Sequence, residues 1–377
     1  MLLDQQSALP TSGADDVTVR QLVRVSIGGS RVRVRLSNAF GTSPLKISSV
    51  NIARASSPGS PRIDRFTDHQ ARFAGARSVT IPPGAEYVSD PVDMSVPALA
   101  TLTVSIRFLQ LPKLQTGHPG SRATTYVVPG DQLSTAGPAG GTTVDHWYNL
   151  SEIDVEPTRP SRAIAVLGDS ITDGHGVESN SNRRWTDVLA ERLKGSPATR
   201  SLAVLNLGIG GNRILDDGIG PNAVARFERD VLARPGVRYL VILEGVNDLG
   251  MLTRDAPVDR AEHEGFVRRL LTAYEQMVAR ARERGIKVIA GTIMPYGGSG
   301  YYHPVAANEA DRRTINDWIR MPGHVDAVVD FDALMRDPAD PARLKAEFDS
   351  GDGLHPSLAG YRFMGEAVPI ALFRPSP

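Results

Sequence analysis

The sequence predicts an α/β fold, a five-stranded doubly wound parallel sheet, preceded by an antiparallel β-sandwich of the jelly-roll kind. Two observations lead to this prediction. Apolar residues alternate with a period of two from Val19 to about Tyr148, whereas short apolar runs alternate with helical patterns after Arg162. The 377 residues are enough for about two domains. We therefore expect a β-sandwich domain over residues 1–155 and a second domain over residues 156–377, joined near the polar stretch DVEPTRPSR.

The N-terminal half consists of predicted strands that are separated by Pro, Gly, Ser and Asp. The stretch LVRVSIGGSRVRVRLSN, residues 22–38, places two alternating runs on either side of Gly28-Gly29-Ser30, which predicts a β-hairpin with one buried face. Further alternating stretches follow at LKISSVNIA, SVTIPPGAEYVS and ATLTVSIRFL, and no long helical pattern interrupts them. This arrangement is typical of an antiparallel sandwich.

Five apolar runs after Arg162 predict the strands of the parallel sheet, because strands that are buried on both faces are nearly continuously apolar. They are AIAVLG, LAVLNLG, YLVILEG, KVIAGTI and AVVDF. The clearest intervening helix is predicted from Ala261 to Arg284, where apolar residues recur at helical spacing. Its apolar stripe comprises Phe266, Leu270, Tyr274, Met277, Val278 and Ala281.

Composition and charge exclude several classes of function. The 42 basic residues balance the 42 acidic residues, so no net field attracts nucleic acid or an anionic membrane surface. No apolar run reaches the roughly 18 residues of a membrane span. The absence of cysteine excludes disulfides and a cysteine nucleophile. The first residues, MLLDQQSALPTSG, lack the pattern of a signal peptide, so we expect a cytoplasmic protein, or a secreted or periplasmic one whose leader has been removed.

Polar and glycine-rich residues follow several of the predicted parallel strands. Ser170 comes after the first strand, the stretch GIGGNR with Gly211 after the second, and Asn247 after the third. Near the C-terminus, the stretch DGDGLHPSLAGY contains Asp352 and His355. Because ligands of such sheets bind outside the carboxyl ends of the strands, we expect these residues to meet at one edge.

These residue types suit acyl transfer. A serine hydroxyl becomes a nucleophile when a neutral imidazole takes its proton, so Ser170 is the candidate nucleophile and His355 the candidate base. Asp352 is the candidate carboxylate that orients the imidazole and stabilises its cation. The backbone N–H of Ser170, the backbone N–H of Gly211 and the side-chain amide of Asn247 are the candidate donors to an oxyanion.

Each assignment has an alternative when its local sequence is taken alone. Asp169 and Ser170 suit the cap of a helix, and Asp169 is interpreted as a structural hydrogen-bonding residue. Asn247 suits an Asx turn after a strand, and His355 suits a solvated loop. Glu244 follows an apolar strand and is expected to be buried beside the site without an assigned role. The position of all these clusters at one predicted edge of the sheet favours the catalytic interpretation.

The four blocks GDSITDG, GIGGNR, GVND and DGLHP resemble those of the SGNH or GDSL hydrolases, and they occur in that family's order. The resemblance covers roughly residues 163–372. It implies a flavodoxin-like α/β fold and an acylhydrolase activity, with the family's Ser, Gly, Asn and His falling on Ser170, Gly211, Asn247 and His355. The sequence lacks the Gly-x-Ser-x-Gly elbow of the α/β-hydrolases. The preceding β domain resembles that of some two-domain bacterial carbohydrate esterases.

Two further stretches lie near these blocks. MPYGGSGYYHP, residues 294–304, suits either a mobile lip whose Tyr296, Tyr301 and Tyr302 rings contact a sugar or aryl group, or a plain flexible loop. Tyr301 and Tyr302 are the candidate substrate-binding residues in this stretch. RFERDVL, residues 226–232, is interpreted as a solvated helix face.

The stretch DSGDGLHP contains two carboxylates that precede the candidate base. Spacing favours Asp352 over Asp349 as the partner of the imidazole. The stretch resembles a calcium loop, but it lacks the alternating oxygen ligands and the distal glutamate of such a loop. We therefore predict neither a metal nor another cofactor.

The sequence thus predicts a serine esterase that removes a short acyl group, in particular acetyl, from a carbohydrate or similar small alcohol. Two alternatives remain open: a GDSL-type lipase or phospholipase with a concealed acyl groove, and a catalytically silent carbohydrate-binding protein that retains the scaffold. The absence of a long apolar lid and the added sandwich domain favour the small ester. The expected partner is an ester substrate, while the natural ester and the oligomeric state are left open.

Overall fold

The computed structural model describes residues 1–10 and 16–374. Residues 11–15 and 375–377, which fall within the two predicted domains, lie outside the described residues. Among the residues that are described, no helix combines the length and the apolar character needed to cross a bilayer.

The chain folds as two compact units. The first unit comprises residues 1–160 together with 178–182, and the second comprises residues 161–177 together with 183–377. The first unit is built of antiparallel strands with one described 3-10 turn, Arg65–Thr67. In chain order its strands are β1 (Val17–Arg24), β2 (Gly29–Ser37), β3 (Leu45–Ile47), β4 (Ser49–Arg54), β5 (His69–Ala71), β6 (Val79–Ile81), β7 (Glu86–Val88), β8 (Val92–Val96), β9 (Thr101–Phe108), β10 (Gly117–His118), β11 (Thr125–Pro129), β12 (Thr142–Val144), β13 (Trp147–Tyr148) and β14 (Leu150–Glu156).

Two larger sheets of the first unit share one hydrophobic core, as in a β-sandwich. Six strands form one sheet in the order β12-β11-β1-β9-β4-β5, and the other sheet has the order β14-β2-β7 with β8 also paired to β2. Val19 and Val104 from the first sheet and Val34 and Leu36 from the second are fully buried in the shared core. The predicted antiparallel region before the parallel sheet is therefore confirmed.

The predicted hairpin across Gly28-Gly29-Ser30 is wrong. β1 pairs with β9 and β11 in one sheet, whereas β2 pairs with β7, β8 and β14 in the other. The glycines serve close packing instead of a tight turn: a Cβ on Gly28 would lie 2.6 Å from the Val96 carbonyl oxygen, and one on Gly29 would collide with the Glu156 carbonyl oxygen. The chain crosses between the two sheets at this point, so both alternating runs face the same core.

The second unit contains the predicted five-stranded parallel sheet. Its strand order is second, first, third, fourth and fifth along the chain, so the direction of winding reverses between the first and third strands. The carboxyl ends of those two strands therefore flank the position where ligands bind in such sheets. The strands are β15 (Arg162–Gly168), β16 (Leu202–Gly208), β17 (Val237–Leu243), β18 (Lys287–Gly291) and β19 (Ala327–Val329).

Helices cover this sheet and bury their apolar stripes. The predicted helix over 261–284 is confirmed at Arg260–Glu283, and all six residues of its stripe are buried. It begins where Asp259 accepts a hydrogen bond from the Glu262 N–H. The helices are α1 (Ser170–Asp173), α2 (Trp185–Lys194), α3 (Ala223–Phe227), α4 (Val246–Thr253), α5 (Arg260–Glu283), α6 (Ala306–Arg320), α7 (Phe331–Met335) and α8 (Leu358–Ala367), with a π-helical turn at Glu228–Leu232 and 3-10 turns at Ala346–Phe348 and Ile370–Phe373.

Candidate active site

The chain turns from strand to helix directly before Ser170. β15 ends at Gly168, where a Cβ would collide with the Thr172 hydroxyl. Asp169 caps α1, because its Oδ1 accepts a hydrogen bond from the Ile171 N–H at 2.8 Å. The capping role therefore belongs to Asp169, as expected, and the Ser170 hydroxyl is left for another partner.

Ser170, His355 and Asp352 lie together at the carboxyl edge of the sheet. Ser170 Oγ is 2.9 Å from His355 Nε2, and His355 Nδ1 is 2.6 Å from Asp352 Oδ2. Because the ionised Asp352 accepts a hydrogen bond from Nδ1–H, Nε2 carries the lone pair that faces the serine hydroxyl. His355 is buried, so the interpretation as a solvated loop histidine is wrong.

Asp352 reaches His355 within one short loop. Its Oδ1 accepts hydrogen bonds from the backbone N–H groups of Leu354 at 2.9 Å and His355 at 2.8 Å. Burial would raise the pKa of Asp352, but the hydrogen bonds from the His355 side chain and from these two N–H groups outweigh it and lower the pKa to about 2. Asp349 instead accepts hydrogen bonds from two glycine N–H groups. Asp352 is therefore the ionised partner of the imidazole at neutral pH.

The glycine-rich stretch after β16 presents backbone N–H groups at the same edge. Gly211 has a φ of +67°, a left-handed conformation that favours glycine, and a Cβ there would lie 3.2 Å from Ile219 Cδ1. Within residues 1–10 and 16–374, neither the Gly211 N–H nor the Ser170 N–H donates a hydrogen bond to the protein. Both groups therefore retain a donor for a bound oxygen.

Hydrogen bonds hold both ends of the Asn247 amide. Its Nδ2 donates to the Asn212 carbonyl oxygen at 2.8 Å, and its Oδ1 accepts from the Tyr302 hydroxyl at 2.6 Å. If the amide were reversed, Asn247 Oδ1 would face the Asn212 carbonyl oxygen, and two acceptors cannot form a hydrogen bond with each other. The orientation is therefore fixed, and the second Nδ2 hydrogen is left for a ligand.

Asp248 joins the loop after β16 to the start of α4. Its carboxyl group accepts hydrogen bonds from the N–H groups of Ile214 at 2.8 Å and Leu215 at 3.1 Å. Burial raises the pKa of Asp248 to about 7, although these hydrogen bonds oppose the shift. Burial likewise raises the pKa of Asp169 to about 7. Asp248 therefore does not merely close a local Asx turn, because its hydrogen-bond partners Ile214 and Leu215 lie on a distant segment of the chain.

The tyrosines of the stretch 294–304 differ in exposure. Tyr301 is 59% exposed, and its hydroxyl accepts a hydrogen bond from Arg254 Nη1 at 2.7 Å. Tyr296 and Tyr302 are buried, and burial raises the pKa of Tyr302 above its usual range. Of the expected aromatic faces, Tyr301 alone is therefore open to a ligand, whereas Tyr302 contacts Asn247 from within.

The interpretation of RFERDVL as a solvated helix face is wrong at Arg226. Arg226 is buried, and its guanidinium donates hydrogen bonds to the carbonyl oxygens of Gly168 and Leu207 and to Asn212 Oδ1. A basic residue in a charged helical stretch is usually solvated, so the local sequence did not predict that Arg226 is buried. The adjacent apolar Phe227 is the local signal that this face is buried.

Glu244 is buried beside the site, as expected. Burial and the neighbouring carboxyl groups of Asp169 and Asp248 raise the pKa of Glu244 well above its usual range, despite the opposing effect of Arg226. Neither carboxyl oxygen of Glu244 has a hydrogen-bond partner among the described residues, and Oε1 is 3.6 Å from Arg226 Nη2. The raised pKa favours the protonated form of this carboxyl group.

One group of side chains in the described part of the chain has donors close enough to hold a metal ion. The donor atoms of His175, Asp352 and His355 lie within 4.8 Å of one another. However, both ring nitrogens of His355 are engaged by Ser170 and Asp352, and the His175 ring stacks face to face on the His355 ring. Ligation requires lone pairs that converge in the ring planes, so this geometry fits a hydrogen-bonded triad better. The absence of a metal or cofactor stays a prediction.

A parallel α/β sheet with a Ser–His–Asp hydrogen-bond chain at its carboxyl edge is the architecture of a hydrolase of the acyl-transfer class. The chain belongs to the GDSL-like lipase/acylhydrolase family, whose model matches residues 166–363. The predicted family, the predicted fold class and the prediction of an esterase or acylhydrolase are thereby confirmed.

Several solved structures are similar to part of this chain. A GDSL-like lipase from Bacteroides thetaiotaomicron VPI-5482 is 18% identical with a TM-score of 0.41, and the match covers 56% of this chain and 88% of that one. An acetyl xylan esterase is 21% identical with a TM-score of 0.41, covering 54% and 96%. A variant of an acetyl-xylooligosaccharide esterase from Geobacillus is 19% identical with a TM-score of 0.37, covering 55% and 91%. No curated protein matches the chain.

Proposed function

We propose that this protein is a serine esterase that hydrolyses short-chain acyl esters, with acetyl esters of carbohydrates as its substrates. The observation that carries the proposal is the position of His355, whose ring nitrogens lie 2.9 Å from Ser170 Oγ and 2.6 Å from Asp352 Oδ2. A serine hydroxyl in this position transfers its proton to the imidazole as it attacks a carbonyl carbon. The family is one of acylhydrolases, and the proposed nucleophile, base and carboxylate are Ser170, His355 and Asp352.

Acylation begins when Ser170 Oγ bonds to the ester carbonyl carbon and its proton moves to His355 Nε2. The ionised Asp352 stabilises the resulting imidazolium. The carbonyl oxygen becomes negatively charged and accepts hydrogen bonds from the N–H groups of Ser170 and Gly211 and from Asn247 Nδ2. The bond between the carbonyl carbon and the alcohol oxygen then breaks, and that oxygen takes the proton from His355.

Deacylation repeats these steps with water. Water bonds to the acyl carbon while one of its protons moves to His355 Nε2, and the same three donors hold the oxyanion. The bond between the acyl carbon and Ser170 Oγ breaks, and Oγ takes the proton back from His355. The products are the free carboxylic acid and the unmodified enzyme.

The surroundings of the triad support a small acyl group. The neighbouring Asn247 is polar, Gly211 has no side chain, and His175 packs on the base. The side chain of Ile219, which is 64% exposed, lies next to Gly211. Tyr302, on the loop that was a candidate lip, packs inward. A long acyl chain needs an extended apolar wall, and these residues do not supply one.

The test compares hydrolysis of p-nitrophenyl acetate with that of the decanoate, followed by acetylated xylo-oligosaccharides. We expect kcat/KM for the acetate to exceed that for the decanoate by about tenfold or more, if the enzyme is specific for small acyl groups. Ser170→Ala should abolish turnover, whereas Ser57→Ala, an exposed serine of the first unit, should not change it. A preference for the decanoate would indicate a lipase, and no hydrolysis of either ester would indicate a binding protein.

A further inference from the structure

We propose that Arg226 is a positioning residue for the oxyanion site: its guanidinium holds the chain segments that carry all three candidate donors. The inference rests on the proposed function, because it concerns the same site. Arg226 lies on α3 and is 1% exposed. Its guanidinium contacts backbone at the ends of β15 and β16. Its role is therefore to hold the site in place, without contact to the substrate.

The guanidinium joins two strand ends to the glycine-rich stretch. Nη2 donates to the Gly168 carbonyl oxygen at 3.2 Å, directly before the turn that presents Ser170, and Nη1 donates to the Leu207 carbonyl oxygen at 2.7 Å. Nε and Nη2 both donate to Asn212 Oδ1, at 2.9 and 2.6 Å. One planar group thus restrains the ends of β15 and β16 and the residue that follows Gly211.

Asn212 extends this restraint to the third donor. Its carbonyl oxygen accepts the hydrogen bond from Asn247 Nδ2 at 2.8 Å. Its own Nδ2 donates to the Pro221 carbonyl oxygen at 2.8 Å, so both ends of the Asn212 side chain are fixed. The relative positions of the Ser170, Gly211 and Asn247 donors therefore depend on Arg226, either directly or through one residue.

The contacts require the planar fork of an arginine. A guanidinium presents five N–H groups in fixed directions, whereas a lysine ammonium is a compact charge on a flexible stem. Lysine at this position keeps a positive charge near Asp230, whose Oδ2 is 3.4 Å from Arg226 Nη1, but its single nitrogen does not reproduce the three separate donor positions of Nε, Nη1 and Nη2. Small displacements of preorganised donors weaken transition-state stabilisation more than substrate binding. Loss of the fork should therefore lower kcat and leave KM almost unchanged.

The experiment compares Arg226→Lys with Arg312→Lys. Arg312 is a matched control, because it is also 1% exposed in the same unit and donates to the Ile293 carbonyl oxygen and to Asp332 Oδ1, without a hydrogen bond to Ser170, Asp352 or His355. With p-nitrophenyl acetate, we expect Arg226→Lys to lower kcat about tenfold with KM within about twofold. Arg312→Lys should leave both constants within about twofold.

A double-mutant cycle separates positioning from general damage to the fold. If Arg226 acts through the oxyanion donors, then Arg226→Lys should lower kcat by less than its effect in the parent when Asn247→Ala has already removed one of the three donors that depend on it. Both variants are assayed well below their melting temperatures. An unchanged kcat in Arg226→Lys, or an equal loss in both backgrounds, overturns the inference.

Asn212→Ala provides a second route if Arg226→Lys does not fold. It removes the acceptor that links the guanidinium to the glycine-rich stretch, while the contacts of Arg226 to Gly168 and Leu207 remain. The same selective loss of kcat and the same reduced effect beside Asn247→Ala are expected, and unchanged kcat overturns the inference. Failure of the proposed function is a separate result, since it appears as residual hydrolysis by Ser170→Ala.

Discussion

The imidazole ring of His175 stacks on that of His355, with ring centroids 3.9 Å apart and planes inclined by 24°. His175 follows α1 and is exposed, whereas His355 is buried. The stack covers one face of the proposed base and leaves its edges to Ser170 and Asp352. An aromatic face beside the ring also stabilises the cation that forms when His355 accepts a proton.

Removal of this stack should slow hydrolysis. We expect His175→Ala to lower kcat/KM about two- to tenfold, the range for a lost aromatic pair, and His175→Phe to stay within about twofold of the parent. The measurement is the turnover of p-nitrophenyl acetate at pH 8, with His69→Ala in the first unit as control. Equal losses in the Ala and Phe variants would contradict a role for the stacked ring.

Asn247 is expected to contribute one oxyanion donor. Asn247→Ala should lower kcat about a hundred- to a thousandfold, the usual loss for one such donor. The check is steady-state kinetics with p-nitrophenyl acetate, with melting temperatures recorded to show that the variant folds. A loss of less than about tenfold would mean that Asn247 is not a donor.

Tyr302 is expected to act through Asn247. Tyr302→Phe removes the hydroxyl that donates to Asn247 Oδ1 at 2.6 Å and keeps the buried ring. The amide is then held at one end, so kcat should fall about two- to tenfold, in line with one hydrogen bond. Tyr239→Phe serves as the matched control, because Tyr239 is also buried in the second unit and its hydroxyl donates to the Arg374 carbonyl oxygen instead. Equal losses in the two variants would contradict the positioning role of Tyr302.

The buried carboxyl groups beneath the site predict how stability depends on pH. Folding raises the pKa of Asp169 and of Asp248 to about 7, from an unfolded value of about 3.9. The stability that they contribute is therefore full below about pH 4 and is lost as the pH rises through about 7. Burial also raises the pKa of Glu244 well above its usual range, so the stability that Glu244 contributes is likewise lost as the pH rises through its folded pKa.

Glu244→Gln tests this assignment, because glutamine is a neutral isostere of the protonated carboxyl group. We expect equal melting temperatures at pH 5 and a gain of about 2–4 °C over the parent at pH 9, which corresponds to about 1 kcal/mol. The measurement is thermal unfolding across this pH range. If the variant is instead less stable than the parent, and more so at pH 9, then Glu244 is ionised and paired with Arg226.

The sequence predicted the parts of the fold and site that depend on local patterns. The parallel strands are short apolar runs, and the first three are each followed by a block with its own chemistry, so Ser170, Gly211 and Asn247 were expected at one edge. Asp352 and His355 are close in sequence, and a single loop brings them into contact. These inferences needed only the rule that parallel strands end at the same edge.

Features that depend on distant segments were not predictable in this way. The alternating runs beside Gly28 have the pattern of a hairpin, but contacts with Val96 and Glu156, far along the chain, place them in different sheets. Arg226 has the local pattern of a solvated helix, and its acceptors lie on other segments of the chain. Tyr302 was expected to face a ligand, whereas its hydroxyl partner is Asn247. Local periodicity carries no information about such partners.

Covalent labelling shows whether Ser170 is a nucleophile that His355 activates. A fluorophosphonate added to the whole protein should give one adduct by intact mass, and peptide mapping should place it on Ser170. Ser170→Ala should not be labelled, and His355→Ala should be labelled far more slowly. An adduct on another serine, or undiminished labelling of Ser170→Ala, would contradict the account.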